Sequence, residues 1–151
     1  MAEGKSSFAY VTYIRTTPEK LWAALTEEHF IKQYWLGIAF ETDWKVGSPW
    51  RMVYQGDEVT DEGEVVEADP PRRLALRWRH LRRPGVADEG FGLCVIAIEP
   101  VDGAVKLTLD HSIARAHSQM IEAVSGGWPM VLSNLKSLLE TDRTLLTSFG
   151  R

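Results

Sequence analysis

Three residues of the sequence, His80, His111 and Tyr54, could transfer a proton. An imidazole titrates near neutral pH and a phenol hydroxyl both donates and accepts hydrogen bonds, so each could act as a general acid or base. His111 directly follows Asp110, but successive side chains of a strand point to opposite faces, so these two are not expected to pair. A histidine at the end of a strand is more often a surface or structural residue than a catalyst. The sequence therefore names these three as candidates and identifies no catalytic residue.

The sequence lacks the motifs of common metal, nucleophile and nucleotide sites. It has no His-Glu-x-x-His, no Cys-x-x-Cys, no Gly-x-Ser-x-Gly and no glycine-rich phosphate loop with a lysine. His29 and His117 have no metal-ligand spacing around them. Cys94 lies in the apolar run 91–98, which favours a buried structural thiol over a nucleophile. We therefore expect neither a metal site nor a cofactor.

The aromatic content is large, with six tryptophans, five phenylalanines and four tyrosines. Such rings can either fill an interior or line a cavity in it. Strand alternation places Trp50, Met52 and Tyr54 on one face of their strand, and Leu76 and Trp78 on one face of theirs. Each residue alone is more typical of core packing, but the set exceeds what one helix needs to cover it, which favours a partly hollow interior. The predicted ligand-binding residues are Trp35, Phe40, Trp50, Met52, Tyr54, Leu76, Trp78, Trp128, Leu132 and Leu135.

Periodicity and turn signals predict the elements that position these residues. A first strand is expected over 8–15, and the six later strands are expected near 38–44, 49–56, 60–68, 73–81, 91–99 and 104–112. Between the first two strands, Thr17 and Thr26 are predicted to cap two short helices. Apolar residues at helical spacing from Val124 to Leu139 predict a long C-terminal helix. No repeat or linker interrupts this order, so a single domain over 1–151 is expected.

The hairpin that turns at 69–71 can be checked for consistency between its two strands. A turn there places Glu64 opposite Arg77 and Glu62 opposite Arg79. The arginines could instead form an anion-binding or nucleic-acid patch. Exposed pairs of opposite charge are common and individually weak, so a solvated and paired sheet face is the favoured interpretation.

The C-terminal helix contains Gly-Gly-Trp-Pro at 126–129. Proline lacks the N–H that would bond the preceding turn, and glycine permits a close approach between backbones. A kink or a fresh helix start is therefore expected here, with the glycines near the sheet and Trp128 aimed at it. Trp128 could then be either the wall of a ligand cavity or a plug in a solid core.

Charge and cysteine content limit the partners and the compartment. The net charge of −4, from 17 basic and 21 acidic residues, gives no reason to expect a nucleic acid or an anionic membrane as partner. A lone cysteine cannot form an internal disulfide, which favours a reducing compartment. The N-terminal residues lack the apolar stretch of a secretory signal, and the run 91–98 is too short to span a bilayer. A cytoplasmic protein without membrane contact is expected.

This order of elements is similar to the helix-grip fold of the START-like (SRPBCC) superfamily. More narrowly, the chain resembles the AHSA-type branch, named after activators of a heat-shock-protein ATPase. The stretches that carry the resemblance are "TTPEKLWAALTEEHFIKQYW", "VGSPWRMVY", "GEVVEADPPRRLALRW", "LTLDHS" and "GGWPMVLSNLKSLLE". The resemblance implies an α+β fold in which a curved antiparallel β-sheet grips a long C-terminal α-helix, with two short helices after strand 1. It also implies a cavity between sheet and helix that in many relatives binds an apolar small molecule.

The resemblance does not select one function, because relatives include lipid carriers, polyketide cyclases, hydrolases and co-chaperone domains. The leading hypothesis is a protein that binds a small apolar or aromatic molecule between the sheet and the C-terminal helix. The first alternative is a cyclase- or hydrolase-type enzyme that uses the same cavity, and the second is a module that interacts with a chaperone. A homodimer is left open.

Overall fold

The computed structural model of the chain describes residues 4–150. Seven strands are formed by β1 (Ser6–Ile14), β2 (Ile38–Glu41), β3 (Pro49–Tyr54), β4 (Glu58–Asp69), β5 (Arg73–His80), β6 (Gly92–Val101) and β7 (Ala104–Ile113). The helices are α1 (Pro18–Thr26), α2 (Glu28–Tyr34), the short α3 (Pro84–Ala87) and the long C-terminal α4 (Gln119–Thr141). The predicted order of strands, the helix pair after strand 1 and the long last helix are confirmed.

The strands form one antiparallel sheet in the order β1-β7-β6-β5-β4-β3-β2. Consecutive strands from β2 to β7 pair as hairpins, whereas β1 joins the far side of β7, so β1 and β2 are the two edges. The sheet curves around α4, which packs against β1 and β7 and also contacts α2. This arrangement is the helix-grip fold. The sheet face toward α4 is called the inner face below.

The predicted register of the β4–β5 hairpin is confirmed. Glu64 lies opposite Arg77 and Glu62 lies opposite Arg79, and the second of these pairs forms an ion pair at 3.8 Å. Arg77 does not form an ion pair with Glu64 in this structure, and its guanidinium instead stacks over the Phe91 ring with 5.0 Å to the ring centroid. The arginines thus belong to the solvated face, as the opposed charges predicted.

The start of α1 is confirmed and that of α2 is corrected. The Thr17 hydroxyl accepts a hydrogen bond from Lys20 N at 3.2 Å, which caps α1. Thr26 was predicted to cap α2, but it is the last residue of α1, and its hydroxyl donates to the Trp22 carbonyl at 2.8 Å. The N-cap of α2 is Glu27, which makes no side-chain capping bond. The prediction was wrong because the Thr26 hydroxyl donates its hydrogen bond to a backbone carbonyl one turn earlier in α1.

The α4 helix starts earlier than predicted and runs through Pro129 without a fresh start. Its cap is Ser118, whose hydroxyl accepts from Ile121 N at 3.1 Å and donates to the Glu89 carboxylate at 2.5 Å. A Cβ added at Gly126 or Gly127 would meet nothing within 4 Å, so these glycines do not permit a close approach to the sheet. That part of the prediction was wrong.

The core lies between the inner face and the helices. Its largest fully buried members include Trp50, Tyr34, Leu107, Leu132 and Leu135. The buried side of α4 carries the predicted apolar stripe, with one polar exception at Asn134. The Asn134 amide donates to the Tyr34 carbonyl at 3.2 Å and its oxygen accepts from Leu146 N at 2.6 Å, so it ties the end of α2 and the C-terminal segment to α4. None of the helices within residues 4–150 is both long enough and apolar enough to cross a membrane.

Candidate ligand-binding site

The interior contains a group of aromatic rings, termed the tryptophan cluster. Its members come from β2, β3, β5, α4 and the segments after α2 and β2, and they are Trp35, Phe40, Trp44, Trp50, Trp78 and Trp128. Trp50 and Trp78 have the shortest centroid separation, 4.6 Å, and Trp35 lies 5.2 Å from Trp128 in an edge-to-face arrangement. Phe40 stacks on both Trp44 and Trp50. Offset and edge-to-face pairs of this kind stabilise a packed aromatic group beyond simple burial.

Gly63 allows the two central indoles to meet. It lies opposite Trp50 on β3 and opposite Trp78 on β5, so it is the middle residue of one row across three strands. A Cβ at Gly63 would collide with the Arg77 carbonyl and would lie 2.8 Å from Trp50 Nε1. The missing side chain lets the Trp50 indole cross β4 and donate to the Arg77 carbonyl at 2.9 Å.

A buried carboxylate supports the next indole. Asp61 on β4 is 5% exposed, and its Oδ2 accepts from Trp78 Nε1 at 2.7 Å. The same oxygen lies 3.1 Å from His80 Nδ1. A carboxylate bonded to an imidazole is an arrangement that orients a histidine and favours one tautomer. The His80 side chain is a quarter exposed, so this pair faces both the cluster and the solvent.

His111 on β7 lies beneath α4 and contacts two rings of the cluster. It is 0% exposed and its ring lies 5.4 Å from that of Trp78 and 6.2 Å from that of Trp128. Trp128 Nε1 is 3.0 Å from His111 Nδ1, while His111 Nε2 is buried with no hydrogen-bond partner among the described residues. Burial lowers the pKa of His111 to about 4, although the charge of Asp61 opposes this shift. His111 is therefore neutral at neutral pH.

The predicted ligand-binding residues fall into two groups in the structure. Trp50, Met52, Leu76, Trp78, Trp128, Leu132 and Leu135 are buried, whereas Trp35, Phe40 and Tyr54 are half-buried. Met52 pairs with the cluster member Phe40 across β2 and β3, which places Met52 beside the cluster. Tyr54 lies at the end of β3 opposite Ile38, and its hydroxyl accepts from Gln55 at 3.3 Å. The structure therefore brings most of the predicted set to one region, and Tyr54 lies at its margin.

The cluster rings contact one another in this conformation. Two clefts lie elsewhere. One of about 470 Å³ is lined by residues such as Val66, Arg77, Phe91 and Leu93, and one of about 330 Å³ lies beside Tyr13 and Lys136. Neither cleft is lined by a predicted ligand-binding residue. These two clefts therefore do not open onto the tryptophan cluster.

Sequence reasoning missed several contributors to this site. Asp61 could have been found by extending the predicted hairpin register by one residue, since it lies opposite His80. Trp44 was not among the predicted ligand-binding residues, but its ring stacks on Phe40 and its indole donates to the Thr26 carbonyl at 2.9 Å. Gly63 had no signal of its own, because a lone glycine in a strand does not reveal which ring crosses it.

The other reactive side chains were compared with the requirements of a metal site and of a nucleophile. Within residues 4–150, no group of three or more His, Cys, Asp or Glu residues is arranged to hold a metal ion. Cys94 is buried, and burial, aided by the charge of Asp110, raises the pKa of its thiol far above the ordinary value. His111 and Asp110 lie on opposite faces of β7, as predicted, with Asp110 exposed.

A sheet that grips a long C-terminal helix over an aromatic interior defines a START-like helix-grip protein. Residues 15–140 match the family described as "Activator of Hsp90 ATPase homolog 1-like protein". The chain belongs to this family, which is the AHSA-type branch that its sequence resembles. A comparison with curated proteins gave no match.

Solved structures with the same fold are distant in sequence. Protein MLL2253 from Mesorhizobium loti is 24% identical with a TM-score of 0.77, and the match covers 93% of this chain and 100% of that one. An HSP90 activator from Plasmodium falciparum is 21% identical with a TM-score of 0.71, over 88% of this chain and 95% of that one. The Aha1 dimer from Colwellia psychrerythraea is 20% identical with a TM-score of 0.68, over 90% and 97% of the two chains. At these identities the likeness concerns the fold.

Proposed function

We propose that the protein binds a small apolar or aromatic molecule at the tryptophan cluster. The observation that carries this proposal is that the cluster reaches the surface on one side. Trp35 and Phe40 are half-buried and cover Trp50, Trp78 and Trp128, which are at most 6% exposed. If Trp35 moved away, a planar apolar molecule could take its place against the other rings. The apolar area buried at the cluster would then change little.

Trp35 is the ring best suited to move. The indole N–H groups of the other four cluster tryptophans donate to Thr26, Arg77, Asp61 and His111, whereas Trp35 makes ring contacts without such a bond among the described residues. It directly follows α2, and the next residue, Leu36, has a positive φ of 52°. A leucine in this region is strained, and this strain lowers the cost of an alternative backbone conformation of the segment.

The segment around Trp35 also has defined limits. Asn134 holds the Tyr34 carbonyl on one side, so movement would begin after Tyr34. On the other side, β2 is a short edge strand that pairs with β3 alone. Displacement of Trp35 would expose the Trp78 and Trp128 rings. Their centroids lie 6.4 Å and 5.2 Å from that of the Trp35 ring. We propose that the ligand occupies this space.

Binding can be tested with a thermal-shift screen of fatty acids, sterols, flavones and polycyclic aromatics. A molecule that binds only the folded state raises the melting temperature in proportion to the logarithm of its concentration. Trp128→Phe should weaken binding severalfold, because it removes the indole that faces Trp35. Trp22→Phe is the matched control, since Trp22 lies on α1 outside the cluster. The absence of any saturable shift would contradict the proposal, as would equal effects of the two variants.

A second candidate function is proton transfer by His80, favoured by its contact with the buried Asp61 carboxylate. In a cyclase or hydrolase that used this space, His80 would be the general base and Asp61 would orient it. Hydrolysis of 1-naphthyl acetate provides a test. His80→Gln and Asp61→Asn should each lower the rate by about 10²-fold or more, and Trp22→Phe should leave it unchanged. A rate equal to that of buffer alone would remove this candidate.

A third candidate is action on a chaperone, which rests on the names of relatives such as the HSP90 activator and the Aha1 dimer. The test is the ATPase rate of an Hsp90 with and without this protein, together with its own mass in solution by light scattering. A stimulated ATPase rate supports the candidate and an unchanged rate opposes it. A mass of one chain would oppose the homodimer.

A further inference from the structure

The hydrogen-bonding state of His111 follows from its neighbour. An indole nitrogen can only donate, so Trp128 Nε1 at 3.0 Å from His111 Nδ1 requires Nδ1 to be an acceptor without a proton. A neutral imidazole carries one proton, which must then lie on Nε2. Because Nε2 is fully buried and has no partner within the described residues, His111 offers an unused N–H donor in the interior.

The position of this donor is set by the strand. Nε2 is at the end of the imidazole far from the backbone, and the ring projects from the inner face of β7 toward α4, where Trp128 contacts it. Cys94 and Phe8 lie opposite His111 on the two neighbouring strands and supply apolar flanks. The donor therefore points into the apolar space between the sheet and α4. A buried donor without a partner is unfavourable, because its hydrogen bond to water is lost and not replaced.

We propose that the ligand of the tryptophan cluster carries a neutral acceptor oxygen, such as a ketone carbonyl, which accepts a hydrogen bond from His111 Nε2–H. This inference rests on the proposed binding function. Displacement of Trp35 would open a path to Trp78 and Trp128, and both of those rings contact His111. A neutral oxygen fits better than a carboxylate, because a second negative charge would be desolvated in an interior that already contains Asp61.

A matched pair of planar probes separates this inference from the binding function. 9-Fluorenone and fluorene have nearly the same shape, but only the ketone has an acceptor oxygen. Their dissociation constants are measured by tryptophan fluorescence quenching with the full chain. We expect 9-fluorenone to bind about tenfold more tightly than fluorene and its carbonyl stretch to move to lower frequency on binding. Tenfold corresponds to about 1.4 kcal/mol, within the range of one buried hydrogen bond.

Two variants complete the test. His111→Phe preserves an aromatic ring without a donor, so both probes should bind with equal affinity. His111→Gln retains an N–H donor and an oxygen that can accept from Trp128, so it should recover part of the preference and keep the inference testable if His111→Phe fails to fold. Equal binding of both probes to the natural protein, with an unshifted carbonyl stretch, would overturn the inference and leave the binding function intact. Binding of neither probe would overturn both.

Discussion

At the residue scale, the site depends on polar atoms that fix the orientation of large rings. Asp61, His111 and the Arg77 carbonyl each accept from one indole N–H, which satisfies donors that would otherwise be buried without partners. These partners are remote in sequence from the tryptophans they hold. Strand parity selected Trp50 and Trp78, and an extension of the β4–β5 register would also have found Asp61. Sequence reasoning could not select His111 as the partner of Trp128, because a hydrogen bond between a strand and a helix depends on the final packing.

His111 should make the folding stability depend on pH. Its pKa falls from the ordinary 6.5 to about 4 on folding, so between these values the unfolded chain binds a proton that the folded chain does not. The contribution of His111 to the free energy of unfolding is therefore complete when the pH is above the pKa of the unfolded chain. It declines as the pH falls toward the pKa of the folded chain, by on the order of 3 kcal/mol in total. Urea unfolding at a series of pH values would measure it. The His111→Gln variant should have a flatter profile, and an unchanged slope would contradict the buried neutral state.

Gly63→Ala should destabilise the protein by roughly 2–3 kcal/mol, because its Cβ would collide with the Arg77 carbonyl beside the Trp50 indole. Urea unfolding would measure this, and the tryptophan emission should also change because Trp50 would lose its position over β4. Gly47→Ala is a useful comparison, since a Cβ there meets nothing within 4 Å and its cost comes from its positive φ of 90° alone. If Gly63→Ala lowered the free energy of unfolding by less than Gly47→Ala does, the Trp50 indole would not cross β4 at Gly63.

At the element scale, the strands could be predicted well and the helix ends less so. Alternation together with strong turn sequences predicted the β4–β5 pairs Glu62–Arg79 and Glu64–Arg77 correctly, although the register shifts between Val65 and Glu67, nearer the turn. The fresh helix start predicted near Pro129 is absent, and the reason lies in tertiary contacts. Ser118 and Glu89 supply acceptors to the first N–H groups of the helix, and the apolar stripe holds it against the sheet through Pro129.

Gly126 is exposed, so we expect it to destabilise α4 without making a packing contact that requires a glycine. Gly126→Ala is expected to stabilise the protein by about 0.5–1 kcal/mol, because a Cβ there meets nothing within 4 Å and alanine loses less backbone entropy in a helix. Thermal unfolding would record the rise in melting temperature. Gly103→Ala, at a turn with φ of 79°, should do the opposite. Destabilisation by Gly126→Ala would show that this glycine has a role that the structure of α4 does not explain.

At the scale of the whole molecule, the helix-grip architecture brings β3, β5, β7 and α4 around one aromatic interior. The family was predictable because ordered stretches along nearly the whole chain matched its pattern, and the family match over residues 15–140 confirms it. Ligand occupancy was not predictable in the same way. A packed aromatic interior and a ligand site contain the same residue types. They differ in the free energy that is needed to displace one ring. Trp35 is the ring that decides between them.

The most direct test of a ligand site that opens at Trp35 is ¹⁹F NMR of protein labelled with 5-fluorotryptophan and titrated with 9-fluorenone. The six tryptophan signals can be assigned with single Trp→Phe variants. We predict a saturable change in chemical shift that is largest for Trp35, smaller for Trp78 and Trp128, and absent for Trp22. If every signal stays unchanged at saturating probe, or if Trp22 moves more than Trp35, the tryptophan cluster is a solid core and the proposed site is wrong.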